Sequence, residues 1–189
     1  MAWRSIRSQK AGATPTLESH FRNFAVIRLK WHCEVPGSYD VALADFDADG
    51  DLDIVMALGI AAGVGNESPE SHQLAWNENV GGPGTGAEWH KHSIGSSFPQ
   101  GFEAVAEDLD GDGDRDVVAT GWSPQGRIAW FENTGDPTQS WQYHIIKENW
   151  PNAVTVILAD LDHDGRLDIV ACAERGANEL RWWKNEGPQ

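Results

Sequence analysis

Short apolar segments recur along the chain, and turn-forming residues separate them. The segments are four to seven residues long and rich in β-branched or aromatic residues, as at 41–44, 54–58 and 154–159. The gaps between them contain Gly, Asn, Pro and Asp. No apolar spacing of three to four residues, the mark of an amphipathic helix, runs through these segments. The pattern predicts short β-strands joined by turns.

The same order of segments is repeated three times. Nine-residue acidic loops read DFDADGDLD at 45–53, DLDGDGDRD at 108–116 and DLDHDGRLD at 160–168. An apolar segment follows each loop, and a segment built on Trp and Asn comes next, at 74–81, 128–135 and 180–187. The segments WHKHSI at 89–94 and WQYHII at 141–146 precede the second and third loops. Four short antiparallel strands in a repeat of roughly fifty residues predict the blade of a β-propeller.

We therefore expect an all-β, propeller-type repeat protein with three four-stranded antiparallel blades. It is either a partial propeller or half of a six-bladed dimer. The predicted domain organisation is a poorly ordered basic leader at 1–20 and a three-repeat propeller domain at 21–189. Its repeats lie at about 21–80, 81–135 and 136–187. An inserted loop at 59–71 accounts for the greater length of the first repeat.

Each acidic loop has a carboxylate at positions 1, 3, 5 and 9 and glycine at position 6. Alternate side chains of such a loop point into one concavity, and glycine permits the sharp bend at positive φ. The predicted metal ligands are Asp45, Asp47, Asp49, Asp51 and Asp53 in the first loop, Asp108, Asp110, Asp112, Asp114 and Asp116 in the second, and Asp160, Asp162, Asp164, Arg166 and Asp168 in the third. Residues 51, 114 and 166, at position 7, would contribute their backbone carbonyls.

An all-oxygen, flexible ligand set favours Ca²⁺ over Zn²⁺ and Mg²⁺. We expect about three calcium ions, one in each loop. Plain polar turns are the alternative, because Asp and Gly are ordinary turn residues. The three loops, however, contain 14 of the 29 acidic residues of the chain. Carboxylates packed so densely repel one another unless a cation neutralises them, which favours cation binding.

The flanking strands and the position of the last ligand distinguish these loops from other calcium loops. An EF-hand or dockerin-type loop needs a carboxylate at position 12, where this chain has Met56, Ala119 and Ala171. A ligand set that ends at position 9 between two strands resembles the FG-GAP or VCBS repeat family, the integrin-α-like β-propeller proteins. The resemblance covers nearly all of residues 20–187. It implies a calcium-stabilised propeller that acts in adhesion, recognition or assembly, in secreted or cell-surface proteins.

The charge distribution excludes some classes of partner. The formal net charge is −15; residues 1–30 hold six basic residues and one acid, and residues 31–189 hold 8 basic and 28 acidic residues. We therefore expect no nucleic-acid partner. No apolar stretch is long enough for a membrane span, and no signal peptide is visible in this chain. The extracellular or cell-surface location thus rests on the family resemblance.

Ten tryptophans raise the question of sugar binding. Trp76, Trp130 and Trp182 recur at one place in the repeat, which predicts packing between blades. Trp122 and Trp150 lie outside that register and are the candidate ligand surface. A carbohydrate-binding module, or an accessory domain of a polysaccharide-active enzyme, is therefore the alternative to a protein- or surface-recognition module.

We expect no enzymatic activity. His92 and His144 occupy matching repeat positions, which predicts structural roles. The sequence shows no Ser-His-Asp, Cys-His or glycosidase-like carboxylate set outside the acidic loops. The identity of the protein or glycan partner does not follow from the sequence.

Three predicted blades are fewer than the roughly four to eight that close a propeller. The segment FRNFAVI at 21–27 is similar to the fourth-strand segments, and the last repeat stops after its third strand. Two arrangements satisfy this pattern. The chain is a fragment of a longer propeller, or two chains form a six-bladed homodimer in which residues 21–27 of each complete the last blade of the other.

Overall fold

The computed structural model describes residues 38–58, 73–81, 88–95, 98 and 100–187. All of them belong to one compact unit, Cys33–Gln189. The predicted leader at 1–20, the segment at 21–27 and the inserted loop at 59–71 lie outside the described residues. Within the described ranges no helix is long and apolar enough to cross a membrane.

In the described residues, eleven antiparallel strands form three sheets, and consecutive strands of the chain are neighbours within each sheet. The first sheet contains β1 (Ser38–Ala44), β2 (Asp53–Leu58), β3 (Gln73–Asn79) and β4 (Trp89–Gly95). The second contains β5 (Gly101–Glu107), β6 (Asp116–Gly121), β7 (Arg127–Glu132) and β8 (Gln142–Lys147). The third contains β9 (Ala153–Ala159), β10 (Asp168–Ala173) and β11 (Glu179–Trp183), with β10 in the centre.

These sheets confirm the predicted all-β, propeller-type fold, with one correction. The third blade has three strands in the described part of the chain, where the fold prediction gave four. Within the described residues, β11 is the edge strand of the third sheet, whereas its equivalents β3 and β7 pair with β4 and β8.

The blades pack face to face. We call the side of a blade that meets the next blade in chain order its forward face, and the opposite side its backward face. Side chains alternate between the faces because successive strand residues point to opposite sides. The forward face of the first blade consists of Ala42, Phe46, Val55, Leu74 and Trp76, which pack against the second blade. The forward face of the second blade consists of Val105, Leu109, Val118, Ile128 and Trp130, which pack against the third.

The same five repeat positions of the third blade have no blade against them in the described part of the chain. They are Ile157, Leu161, Val170, Leu180 and Trp182. Ile157 is 51% exposed, Leu161 45%, Leu180 75% and Trp182 50%. Trp76, by contrast, is fully buried. The forward face of the third blade is therefore an apolar surface open to solvent.

Candidate metal centre

Each acidic loop closes the hairpin between the first two strands of its blade. The register pairs Ala44 with Asp53, so the first loop begins immediately after the last paired residue of β1 and ends at the first residue of β2. The pairs Glu107 with Asp116 and Ala159 with Asp168 place the other two loops in the same way. The strand register therefore brings the two ends of every loop together.

Two residues in each loop adopt left-handed backbone conformations. The position-6 glycines have the predicted positive φ, at 95° for Gly50, 102° for Gly113 and 87° for Gly165. Position 4 is also left-handed, at 59° for Ala48 and 63° for His163. This second bend could not be predicted in the first and third loops, because neither Ala nor His marks a left-handed position as glycine does.

Backbone N–H groups inside the loops hold the carboxylates in place. The position-1 side chain accepts a hydrogen bond from the position-6 glycine, as when Gly50 N–H donates to Asp45 across 3.1 Å. Gly113 donates to Asp108 and Gly165 to Asp160 in the same way, at 3.1 and 3.0 Å. These bonds fix the position-1 carboxylates relative to the backbone of the loop.

Three carboxylates converge in every loop. One oxygen from each lies within 4.8 Å of the others in the sets Asp45, Asp47 and Asp53; Asp108, Asp110 and Asp112; and Asp160, Asp162 and Asp168. The first and third sets use positions 1, 3 and 9, and the second uses positions 1, 3 and 5. The other assigned ligands, including the position-7 carbonyls of Asp51, Asp114 and Arg166, stay predictions.

The position-9 aspartate has a structural role that the sequence analysis did not identify. Asp116 is 1% exposed, and its two carboxylate oxygens accept the N–H groups of Leu109, at 3.1 Å, and of Asn133, at 2.9 Å. Asp53 and Asp168 make the matching pairs of bonds, with Phe46 and Asn79, and with Leu161 and Asn185. The aspartate and asparagine are 17 residues apart in both the second and third repeats, a constant spacing that could have revealed the contact.

The electrostatics of the first two loops differ from those of the third. Burial raises the pKa of Asp53 and of Asp116 to about 6, although the backbone hydrogen bonds oppose that shift. Burial, together with repulsion from neighbouring carboxylates, also raises the pKa of Asp47 and Asp110. In the third loop the Asn185 N–H lowers the pKa of Asp168. Burial and repulsion therefore disfavour the ionised form of these carboxylates in the first two loops.

Basic side chains of the chain itself reach the third loop. Lys184 contacts Asp162 and also lies 3.3 Å from Asp164. Arg166 contacts Asp164. Among the described residues, no ion pair reaches the carboxylates of the first two loops, since Arg115 pairs with Glu107 outside its loop, at 3.0 Å. The donor sets of the first two loops therefore fit a divalent cation, whereas in the third loop Asp162 and Asp164 are already paired with protein cations.

The prediction that Trp150 forms part of a ligand surface is wrong. This side chain is 1% exposed, packs in the core between the second and third blades, and donates its indole N–H to Glu179 across 2.9 Å. It offers no ring face to a sugar. Trp122 is half-buried, with its N–H 3.4 Å from Glu174, and stays a candidate.

The histidines of the fourth strands are engaged in structural contacts. His92 stacks on Trp76 with ring centroids 4.5 Å apart and contacts Glu78 at 2.7 Å. His144 stacks on Trp130 at 4.4 Å and contacts Glu132 at 2.6 Å. The repeated arrangement fits the structural roles expected from their matching positions.

Comparison with known proteins agrees with the geometry. Residues 108–171, which include the second and third acidic loops, match the family model of the FG-GAP-like repeat. This match confirms the resemblance read from the loops, and with the three antiparallel sheets it identifies the fold as propeller-type. No curated protein matches the chain.

Proposed function

We propose that the protein is a calcium-binding, propeller-type repeat module that recognises another protein or a cell surface and has no catalytic function. The observation that carries the proposal is the convergence of three carboxylate oxygens within 4.8 Å in each of the first two loops. No basic side chain among the described residues neutralises either set.

Calcium suits these two sites for chemical reasons. Carboxylates and backbone carbonyls are the hard oxygen donors that Ca²⁺ prefers, and Ca²⁺ tolerates irregular coordination geometry better than Mg²⁺ does. Asp45, Asp47 and Asp53 would hold one ion, and Asp108, Asp110 and Asp112 the other. A bound ion supplies positive charge where burial and repulsion now penalise the ionised carboxylates, so binding stabilises the folded state.

An extracellular or cell-surface location is part of the proposal. Calcium sites of extracellular modules bind with dissociation constants on the order of 10⁻⁴ to 10⁻³ M, which suits the calcium concentration outside cells. The FG-GAP-like repeat supports the same location by family resemblance.

The open forward face of the third blade supports a recognition role. Exposed contiguous apolar surface commonly marks an interaction site. His92 and His144 each contact a glutamate and stack on a tryptophan, which favours structural roles over catalytic ones. The burial of Trp150 removes part of the support for the carbohydrate-binding alternative.

A calcium titration of the metal-free full chain tests the proposal. Isothermal calorimetry should show saturable binding, and the melting temperature should rise with calcium and fall with EDTA. Magnesium at the same concentration serves as the control ion and should have little effect. A double variant, Asp45→Asn with Asp108→Asn, keeps an acceptor for the glycine N–H groups and should lose the response. Melting that is indifferent to calcium and EDTA, with no binding heat, would contradict the proposal.

A further inference from the structure

We infer that the third acidic loop is held by cations of the chain itself, so that the protein binds calcium at its first two loops and not at its third. The inference rests on the proposed calcium function and narrows it to two of the three loops.

The geometry places two basic side chains on the third loop. Lys184 contacts Asp162 and Asp164, and the Arg166 guanidinium contacts Asp164. Arg166 is fixed at a second point, because its Nε donates to the Asn185 carbonyl across 2.8 Å. Charge-assisted bonds of this kind are among the stronger hydrogen bonds in proteins. They engage the position-3 and position-5 carboxylates, which an incoming ion would need.

Both cations stand where the other repeats have acids. Position 7 is Asp51 in the first loop and Asp114 in the second, but Arg166 in the third. The residue that precedes the repeat asparagine is Glu78 in the first blade and Glu132 in the second, but Lys184 in the third.

The third site therefore differs from the other two by a basic residue in place of an acidic one at two positions. A calcium ion would have to displace an ammonium group and a guanidinium group and then remain beside both positive charges. Like charges at such distances repel, and the repulsion is strongest where solvent is partly excluded. The third loop accordingly keeps its shape without metal.

The number of calcium ions bound per chain tests the inference directly. Calcium alone is titrated into the full chain, and the stoichiometry is read by calorimetry and by native mass spectrometry. Two ions per chain are expected. The double variant Arg166→Asp with Lys184→Glu installs the residues of the other repeats and should bind three. Arg115→Leu, which introduces the residue found at 52 and 167, is the matched control and should still bind two.

A second variant keeps the test decisive if the double variant folds poorly. Asp162→Asn removes a third-loop carboxylate and should leave the stoichiometry at two. Three ions in the unmodified chain, falling to two in Asp162→Asn, would overturn the inference and leave the proposed function intact. No bound ion in any variant would overturn the proposed function itself.

A separate observation concerns the open face of the third blade. We propose that this forward face docks the first blade of a second copy of the chain. The five apolar positions involved are those that bury the forward faces of the first and second blades against their neighbours. A surface that repeats an established blade contact is suited to a blade of the same type.

The first strand of the first blade, β1, offers exposed apolar side chains for this contact. Val41 and Leu43 on the backward face of this blade are 54% and 58% exposed. The matching residues of the second blade, Ala104 and Ala106, pack against the first blade. Met56 and Ala75 on the same backward face are already buried, so the new contact would run along β1.

Two copies of the chain would form a closed ring of blades. If the third blade of each docks on the first blade of the other, two identical contacts related by a two-fold axis give a ring of six blades, within the range of closed propellers. The segment 21–27, expected to complete the last blade of the partner, lies outside the described residues, and the contact proposed here does not depend on it.

Sedimentation velocity over a range of protein concentrations tests the proposal. The full chain should form a dimer, and Ile157→Glu, at the exposed face of β9, should convert it to a monomer because the charge would be buried in the interface. Ile145→Glu, at a residue 44% exposed on β8, is the control and should leave the dimer intact. A monomer at all concentrations would overturn the proposal and leave the face to a further blade or a different protein. A dimer unaffected by Ile157→Glu would also overturn it.

Discussion

The side-chain amide of Asn133 donates a hydrogen bond to the Phe46 carbonyl across 3.3 Å and so ties the second blade to the acidic loop of the first. The backbone N–H of the same residue donates to Asp116 of its own loop. Asn185 repeats both contacts, with Leu109 and Asp168. In the second and third repeats, one asparagine thus connects its own acidic loop with the acidic loop of the preceding blade.

Replacement of Asn133 by alanine should destabilise the fold by about 1–3 kcal/mol, because the buried Phe46 carbonyl loses its donor. Gln125→Ala, at an exposed position near the same blade, is the control and should change stability by less than about 0.5 kcal/mol. Urea unfolding measures both variants. Equal stability of Asn133→Ala and the unmodified chain would show that the inter-blade bond is not needed.

The two roles of the acidic loops, in folding and in metal binding, should separate when Asp116 and Asp112 are compared. In EDTA, Asp116→Asn should lose about 2 kcal/mol, because an amide cannot accept both the Leu109 and Asn133 N–H groups. Asp112→Asn should lose little, since its side chain is exposed and the amide oxygen still accepts the Asp114 N–H. With calcium present, both variants should show a reduced rise in melting temperature. Equal stability of the two variants in EDTA would argue against the structural role of position 9.

The stability of the metal-free protein should depend on pH through Asp53 and Asp116. Their pKa values rise to about 6 in the folded protein from an ordinary value of 3.8. The folded state therefore holds protons that the unfolded chain releases, and this stabilising contribution, complete below pH 3.8, is lost as the pH rises through about 6. In EDTA the melting temperature should be lower at pH 7 than at pH 5.

Calcium should reverse that trend, because it binds the deprotonated carboxylates. The rise in melting temperature caused by calcium should be larger at pH 7 than at pH 5. Thermal melts at pH 5, 6 and 7, each with EDTA and with calcium, measure both effects. A calcium response that shrinks as the pH rises would contradict the assignment of these carboxylates.

Gly126 should tolerate no side chain. A Cβ at this position would lie 2.5 Å from the carbonyl oxygens of both Gly121 and Trp150, and backbone atoms cannot move away cheaply. Gly126→Ala should cost about 3 kcal/mol or fail to fold. Gly101→Ala is the control, because its Cβ would meet Ala57 at an ordinary contact distance of 3.5 Å. Thermal unfolding compares them, and similar melting temperatures would contradict the packing described.

The sequence alone predicted the repeat, the strands and the acidic loops. Each of these depends on residues that lie close together in the chain: alternating apolar segments for strands, glycine at position 6 for the bend, and clustered aspartates for the ligand set. The match of residues 108–171 to the FG-GAP-like repeat agrees with that local pattern. The order of strands within each sheet followed as well, since successive strands joined by short turns pair as neighbours.

Only the tertiary structure decided which residues oppose one another across the repeats. Trp150 is a residue of the type that stacks on sugar rings, but the packing of the third blade on the second buries its side chain. Lys184 lies 22 residues beyond Asp162 in the chain, and the pairing of β10 with β11 brings its charge onto the third loop. Burial and charge pairing depend on distances between segments remote in sequence, and a local pattern carries no information about those distances.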